Sequence, residues 1–124
     1  MTVDPTLYGV GWVAAWNRRD IDAVLADYAE DAIFVSPRAL ALTGCAEVRG
    51  KPALESYWRR ASAAIRSLHF TLENSFWDPE ARALAVLYLA VIDGRQYYAA
   101  EFVQLDGAGL IRYGEAIYGA PPSC

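Results

Sequence analysis

Residues 95 to 119 read RQYYAAEFVQL, then DGAG, then LIRYGEAIYG. Two apolar, aromatic-rich runs flank a glycine-rich tetrapeptide, which is the pattern of a β-hairpin. With Asp106 to Gly109 as the loop, Leu105 stands opposite Leu110. The register then pairs Val103 with Arg112, Glu101 with Gly114, Ala99 with Ala116 and Tyr97 with Tyr118. Successive side chains of a strand point to opposite faces, so all these pairs share one face. Glu101 is its odd member, a carboxylate amid Val, Ala, Leu and Tyr, with a glycine opposite that leaves space. One reading makes Glu101 part of a pocket wall. The other makes it the partner of a diagonal ion pair with Arg112. The hairpin alone leaves both open.

The second face of the same hairpin carries Tyr98, Phe102, Tyr113 and Ile117. A sheet apolar on both faces must be covered twice. Whatever packs on the Glu101 face, another surface is needed for this one, and a homodimer through the outer sheet face is the expected solution.

The segments before the hairpin supply the first cover. Asp4-Pro5 reads as a cap followed by the first helical position. Tyr8, Trp12 and Trp16 then recur at helical spacing, and Asn17-Arg18-Arg19 closes the helix. Asp20 caps a short second helix with Ile21, Val24, Leu25 and Tyr28 on its inner side, broken by Glu30-Asp31. Residues 32–36 read as a strand ended by Pro37, and residues 38–49 as a loop with a short strand around 39–42. Gly50-Lys51-Pro52 opens a third helix with Leu54, Trp58, Ala61 and Ile65 as its stripe. From Leu68 the period changes to two, with strands expected over 68–77, 82–92, 96–105 and 110–118. Helices first and a strand meander afterwards make a single α+β domain over residues 1–124. Its strongly bent, cone-shaped sheet, antiparallel or mixed, wraps around the three helices of the N-terminal half. Trp12, Trp16, Phe34, Trp58 and Tyr88 are expected on its concave side.

Composition narrows the function class. The chain is 55% hydrophobic and 21% charged, with four Trp, eight Tyr and four Phe, a load that suits an apolar cavity. A net charge of −4 and the lack of a basic run argue against nucleic acid. No apolar run is long enough to span a membrane and no signal peptide is evident, so a cytoplasmic location is expected. Cys45 and Cys124 make no disulfide framework, and the terminal Cys124 is expected to fray. Zinc-ligand spacing, a nucleophile elbow and a phosphate-binding glycine loop are all missing, so neither a metal nor a cofactor is expected.

The phrases WNRRDIDAVLADYAEDAIFVSP, VRGKPALESYW and FVQLDGAGLIRYGEAIYG, in this order of elements, resemble the nuclear transport factor 2-like superfamily. Within it, they look like the SnoaL-like and ketosteroid isomerase branch, over nearly the whole chain. The resemblance implies the cone fold and a small-molecule pocket. It leaves the chemistry open, because members include isomerases, cyclases, dehydratases, hydrolases and non-catalytic binders. It also implies roles residue by residue. The isomerase base directly precedes the strand-ending proline, which here makes it Ser36. The oxyanion tyrosine lies on the first helix, which here makes it Trp12. The oxyanion aspartate precedes the Gly-Ala-Gly turn and corresponds to Glu101, and a pocket aromatic corresponds to Trp58. Serine is no carboxylate base, and Trp12 donates only through its indole N–H, so ordinary ketosteroid isomerisation is not expected. The cyclase branch often carries a His and an Asp in the pocket, which directs attention to His69, with Glu73 on the same face of a regular strand.

These readings combine into one expectation, a pocket for a small apolar molecule, carbonyl-bearing or cyclic, with Glu101 as acid and His69 as a possible base. Trp12, Trp16, Phe34, Ser36, Trp58, Tyr88 and Gly114 would line it. The competing expectation is a non-catalytic binding or dimeric interaction module of the same fold.

Overall fold

A computed structural model describes residues 3–122; Cys124 lies outside them. In chain order the elements are α1 (Pro5–Asn17), α2 (Ile21–Ala26), β1 (Tyr28–Val35), α3 (Pro37–Thr43) and β2 (Glu47–Arg49). They continue with α4 (Lys51–Ala63), β3 (Leu68–Asp78), β4 (Ala83–Ile92), β5 (Arg95–Leu105) and β6 (Ile111–Tyr118). The strands form one mixed sheet in the order β2-β1-β6-β5-β4-β3. β3 to β6 are an antiparallel meander, and β1 lies parallel to β6. The α+β architecture and its curled sheet are therefore as the sequence implies.

The first helix starts where Asp4 accepts the Leu7 N–H at 3.1 Å, with proline at the start of the helix. Its end is pinned to the sheet. The Asn17 side chain donates to the Phe70 carbonyl at 2.9 Å and accepts the Phe70 N–H at 2.7 Å, replacing a missing neighbour strand on edge strand β3. Arg19, in the left-handed conformation, then donates to the Ser62 and Ile65 carbonyls at 2.8 Å each, tying the end of α1 to the last turn of α4 and the residues after it.

Three local expectations are corrected. Tyr28 does not end the second helix but starts β1, which runs through Glu30-Asp31 by a register shift between Tyr28 and Ile33. Both acids stay exposed while Tyr28 enters the core. Residues 37–43 are helical, not a loop with a strand. Ser36 caps α3 by accepting the Arg38 N–H at 3.1 Å, Pro37 takes the first turn, and Gly44 ends the helix in the left-handed conformation. The short strand follows at Glu47–Arg49.

The third correction is the hairpin register. Val103 pairs with Gly114, Glu101 with Ala116 and Ala99 with Tyr118. Leu105 pairs with Ile111 and Gln104 with Tyr113, so Arg112 is the extra residue of a bulge and is exposed. Asp106 fixes the loop by accepting the Ala108 and Leu110 N–H groups at 2.9 and 3.0 Å.

Gly114 is a packing requirement at the β1–β6 junction. A Cβ there would lie 3.0 Å from the Tyr28 Oη and 3.4 Å from the Phe34 Cδ1, whereas one on the exposed helical residue Gly11 would meet nothing within 4 Å. Gly114→Ala is expected to destabilise by about 1–3 kcal/mol through overpacking. Gly11→Ala should stabilise by about 0.5–1 kcal/mol through helix propensity. Urea unfolding of both variants checks the pair, and equal effects would contradict the packing.

Candidate functional site

Between the helices and the concave face lies a cavity of about 70 Å3. A single buried water needs roughly 10–15 Å3 on the same measure, so there is room for a small ligand. Trp12, Trp16, Phe34, Ser36, Trp58, Tyr88 and Glu101 all line it. Sequence reasoning missed Arg38, Tyr57, Phe70 and Tyr118, which line it too.

The walls are two groups of aromatic rings. On the α1–β3–β4 side, Trp12 stacks on Phe70 with centroids 5.6 Å apart and lies 4.9 Å from Tyr88. On the α4–β1 side, Trp58 meets Phe34 at 5.3 Å and Tyr28 at 5.1 Å, edge to face. Trp16 joins the groups, 6.4 Å from Trp12 and 5.7 Å from Trp58.

Glu101 stands in mid-strand between Val86 and Ala116 and is 5% exposed. Among the described residues no salt bridge includes it, and Arg112 is carried away from it by the bulge. Desolvation raises its pKa well above the usual glutamate range. The neighbouring Tyr28 hydroxyl pulls weakly the other way. That hydroxyl lies close enough to act on Glu101 but not in full hydrogen-bond alignment, and its oxygen is left buried without a partner, like that of Tyr8. Burial, reinforced by Glu101, raises Tyr28 and Tyr88 as well. Tyr118 is pushed up to about 12, by burial first. Burial thus favours the protonated form of the carboxyl, which stands among buried phenols whose pKa values it raises.

Three residues are not where the sequence placed them. His69 is exposed on the outer face of β3, because Leu68 and Phe70 take the inward positions and alternation turns the residue between them away. Glu73 is exposed at the register shift between Leu72 and Asn74. Gly114 lies opposite Val103, not Glu101, and the space above it is filled by Tyr28 and Phe34, so it does not border the cavity. Ser36 is buried at 1% exposure and is spent on capping α3; its hydroxyl also moderates the Tyr57 and Tyr118 pKa values.

Arg38, on α3, sits at the cavity mouth. It donates to the Tyr97 hydroxyl at 3.1 Å and lies over the Tyr118 ring, 5.8 Å from its centroid. Among the described residues no group of three or more His, Cys, Asp or Glu side chains is placed to hold a metal ion. Among the described residues no helix is long and apolar enough to cross a membrane.

The architecture is that of the nuclear transport factor 2-like superfamily. The chain belongs to the SnoaL-like domain family, which it matches over residues 10–115. Among solved structures it is similar to a SnoaL-like protein of unknown function from Burkholderia thailandensis, at 25% identity and TM-score 0.82, covering 94% of this chain and 100% of that one. It is also similar to a protein of unknown function with a cystatin-like fold from Methylobium petroleophilum, at 22% identity and TM-score 0.74, covering 99% and 82%. A third likeness, at 13% identity and TM-score 0.74, covering 93% and 92%, is to TerC co-crystallised with polyporic acid. No curated protein matches the chain.

The raised Glu101 pKa has a consequence for stability. The folded state holds this proton more tightly than the unfolded chain does. The stability it confers is fully present below the unfolded glutamate range and is lost as pH rises through the folded pKa. Asp27, also raised by partial burial, contributes in the same direction. Chemical denaturation of wild type and Glu101→Gln across a pH series separates them. Wild-type stability should decline more steeply above the glutamate range than that of the variant. Parallel curves would contradict a neutral Glu101.

Proposed function

We propose that this SnoaL-like protein takes a small, largely apolar, carbonyl-bearing or cyclic molecule into the aromatic cavity, where Glu101 in its protonated form donates a hydrogen bond to the ligand's oxygen. The observation that carries the reading is a buried carboxyl without an ionic partner bordering an aromatic cavity. A neutral carboxyl in a dry site polarises a carbonyl and stabilises the oxyanion that forms from it. That is the contribution a cofactor-free isomerase, cyclase or dehydratase would draw from it. Likeness in fold to a protein co-crystallised with polyporic acid supports a ligand cavity in this architecture.

A second reading, a binding module without turnover, has its own support. Across the cavity from Glu101 the lining contains no histidine and no second carboxylate, and its tyrosines are held protonated by burial. Proton transfer between carbons needs a base within reach. Any turnover must therefore use Glu101 for both proton steps or depend on a group of the substrate. Ordinary 3-ketosteroid isomerisation substrates are accordingly expected to give no turnover.

The outer sheet face supports the homodimer as part of the same proposal. Phe76, Leu87, Tyr98 and Ile117 are exposed there, beside half-buried Phe102 and Tyr113. Sedimentation at micromolar concentration should give a dimer, and Leu87→Lys with Tyr98→Lys should shift it to monomer. A monomeric wild type would contradict it.

Small cyclic ketones should quench tryptophan fluorescence and raise the melting temperature with concentration. Trp58→Ala should weaken that response and cost about 3–5 kcal/mol of stability. Glu101→Gln should keep the fold and retain binding, but abolish any turnover that needs proton transfer. No response to any ketone would contradict the cavity reading.

A further inference from the structure

Arg38 borders the aromatic cavity and also two open grooves beside it, of about 330 and 670 Å3. Its guanidinium is half-buried, yet among the described residues no carboxylate pairs with it. Its two contacts, the Tyr97 hydroxyl and the Tyr118 ring, are neutral. They orient the planar group without neutralising it, and one bond to Tyr97 uses only part of its donor set. Arg59 makes the contrast, paired with both Asp22 and Glu55. The chain has 15 acidic residues against 11 basic ones, yet none of the acids is placed on Arg38.

Taking a cation part-way out of water without a counter-ion costs free energy that an anion arriving at the mouth would return. The second cation bordering both grooves is Arg95. Asp93 borders the smaller groove, but its carboxylate is engaged by the Arg66 and Ser67 N–H groups at 2.8 and 2.9 Å. Deeper in, the aromatic rings suit a ring-sized apolar body. A guanidinium fork matches the plane of a carboxylate. One half-buried arginine with an acid close by suits a monoanion better than a phosphate dianion.

We propose that the ligand of this cavity is a carboxylate: a small molecule whose apolar cyclic body lies among the aromatic side chains and whose carboxylate pairs with Arg38 at the mouth. This names the ligand class of the proposed function and rests on that reading. Arg38 then sets specificity and orientation, fixing the head at the rim so that the far end of the body approaches Glu101.

Calorimetric titration of the full chain with cyclohexanecarboxylate and with cyclohexanecarboxamide at neutral pH tests it, since the two probes share a shape and differ in charge. The carboxylate should bind wild type at least about tenfold more tightly, the scale of one charge-assisted hydrogen-bonded pair. Arg38→Gln should bring the acid down to the level of the amide while changing the amide by less than about threefold, and Arg38→Lys should keep part of the preference. Equal binding of both probes to wild type, or a preference that survives Arg38→Gln, would overturn the inference and leave the cavity reading standing. Failure of both probes and of the cyclic ketones to bind would overturn the cavity reading itself. The wild-type comparison decides even where a variant does not fold.

Discussion

Desolvation of the Glu101 carboxyl is the constraint on which the rest of the site depends. It holds because the β5–β6 hairpin is bulged at Arg112, which removes the nearest basic side chain of the paired strand from the acid's face. It holds also because Tyr28, itself buried, fills the room above Gly114 beside the acid's strand. A buried ionised carboxylate without a partner would cost several kcal/mol. Burial accordingly raises the pKa of Glu101 and favours its protonated form.

Much of this was legible in the sequence, and the failures have physical reasons. The hairpin, the capped first helix, the Trp58 stripe and the inward placement of Glu101 follow from periods and turn residues. A two-residue error in the β5–β6 register left Glu101 on the correct face, because alternation has a period of two. The same error put Gly114 opposite the wrong neighbour. His69 lost its place to a one-residue ambiguity at the start of β3, where Leu68 and Phe70 share the inward face and turn the residue between them outward.

The missed helix α3 was encoded by a serine cap, a proline in the first turn and a glycine stop. The alternating run Ala39-Leu40-Ala41-Leu42 resembled a strand and outweighed those end signals. With the helix went Arg38, whose importance comes from tertiary placement at a cavity mouth. Tyr57 and Tyr118 were missed for the same reason. By the family resemblance, Ser36 and Trp12 would stand where the isomerase branch has a base and a donor. Here the serine is spent as a helix cap and the indole as part of a ring stack with Phe70. A shared fold of this kind does not carry a shared reaction with it.

The most direct test of the account is the ionisation of that acid, followed through the side-chain carboxyl carbons by NMR on the full chain across a pH series, with Glu101→Gln assigning the resonance. The account predicts that the Glu101 carboxyl remains protonated well above the range in which the exposed glutamates titrate, with an uncharged chemical shift at neutral pH. Titration at or below the ordinary glutamate range would contradict it, and would mean that a cation or water reaches the carboxyl.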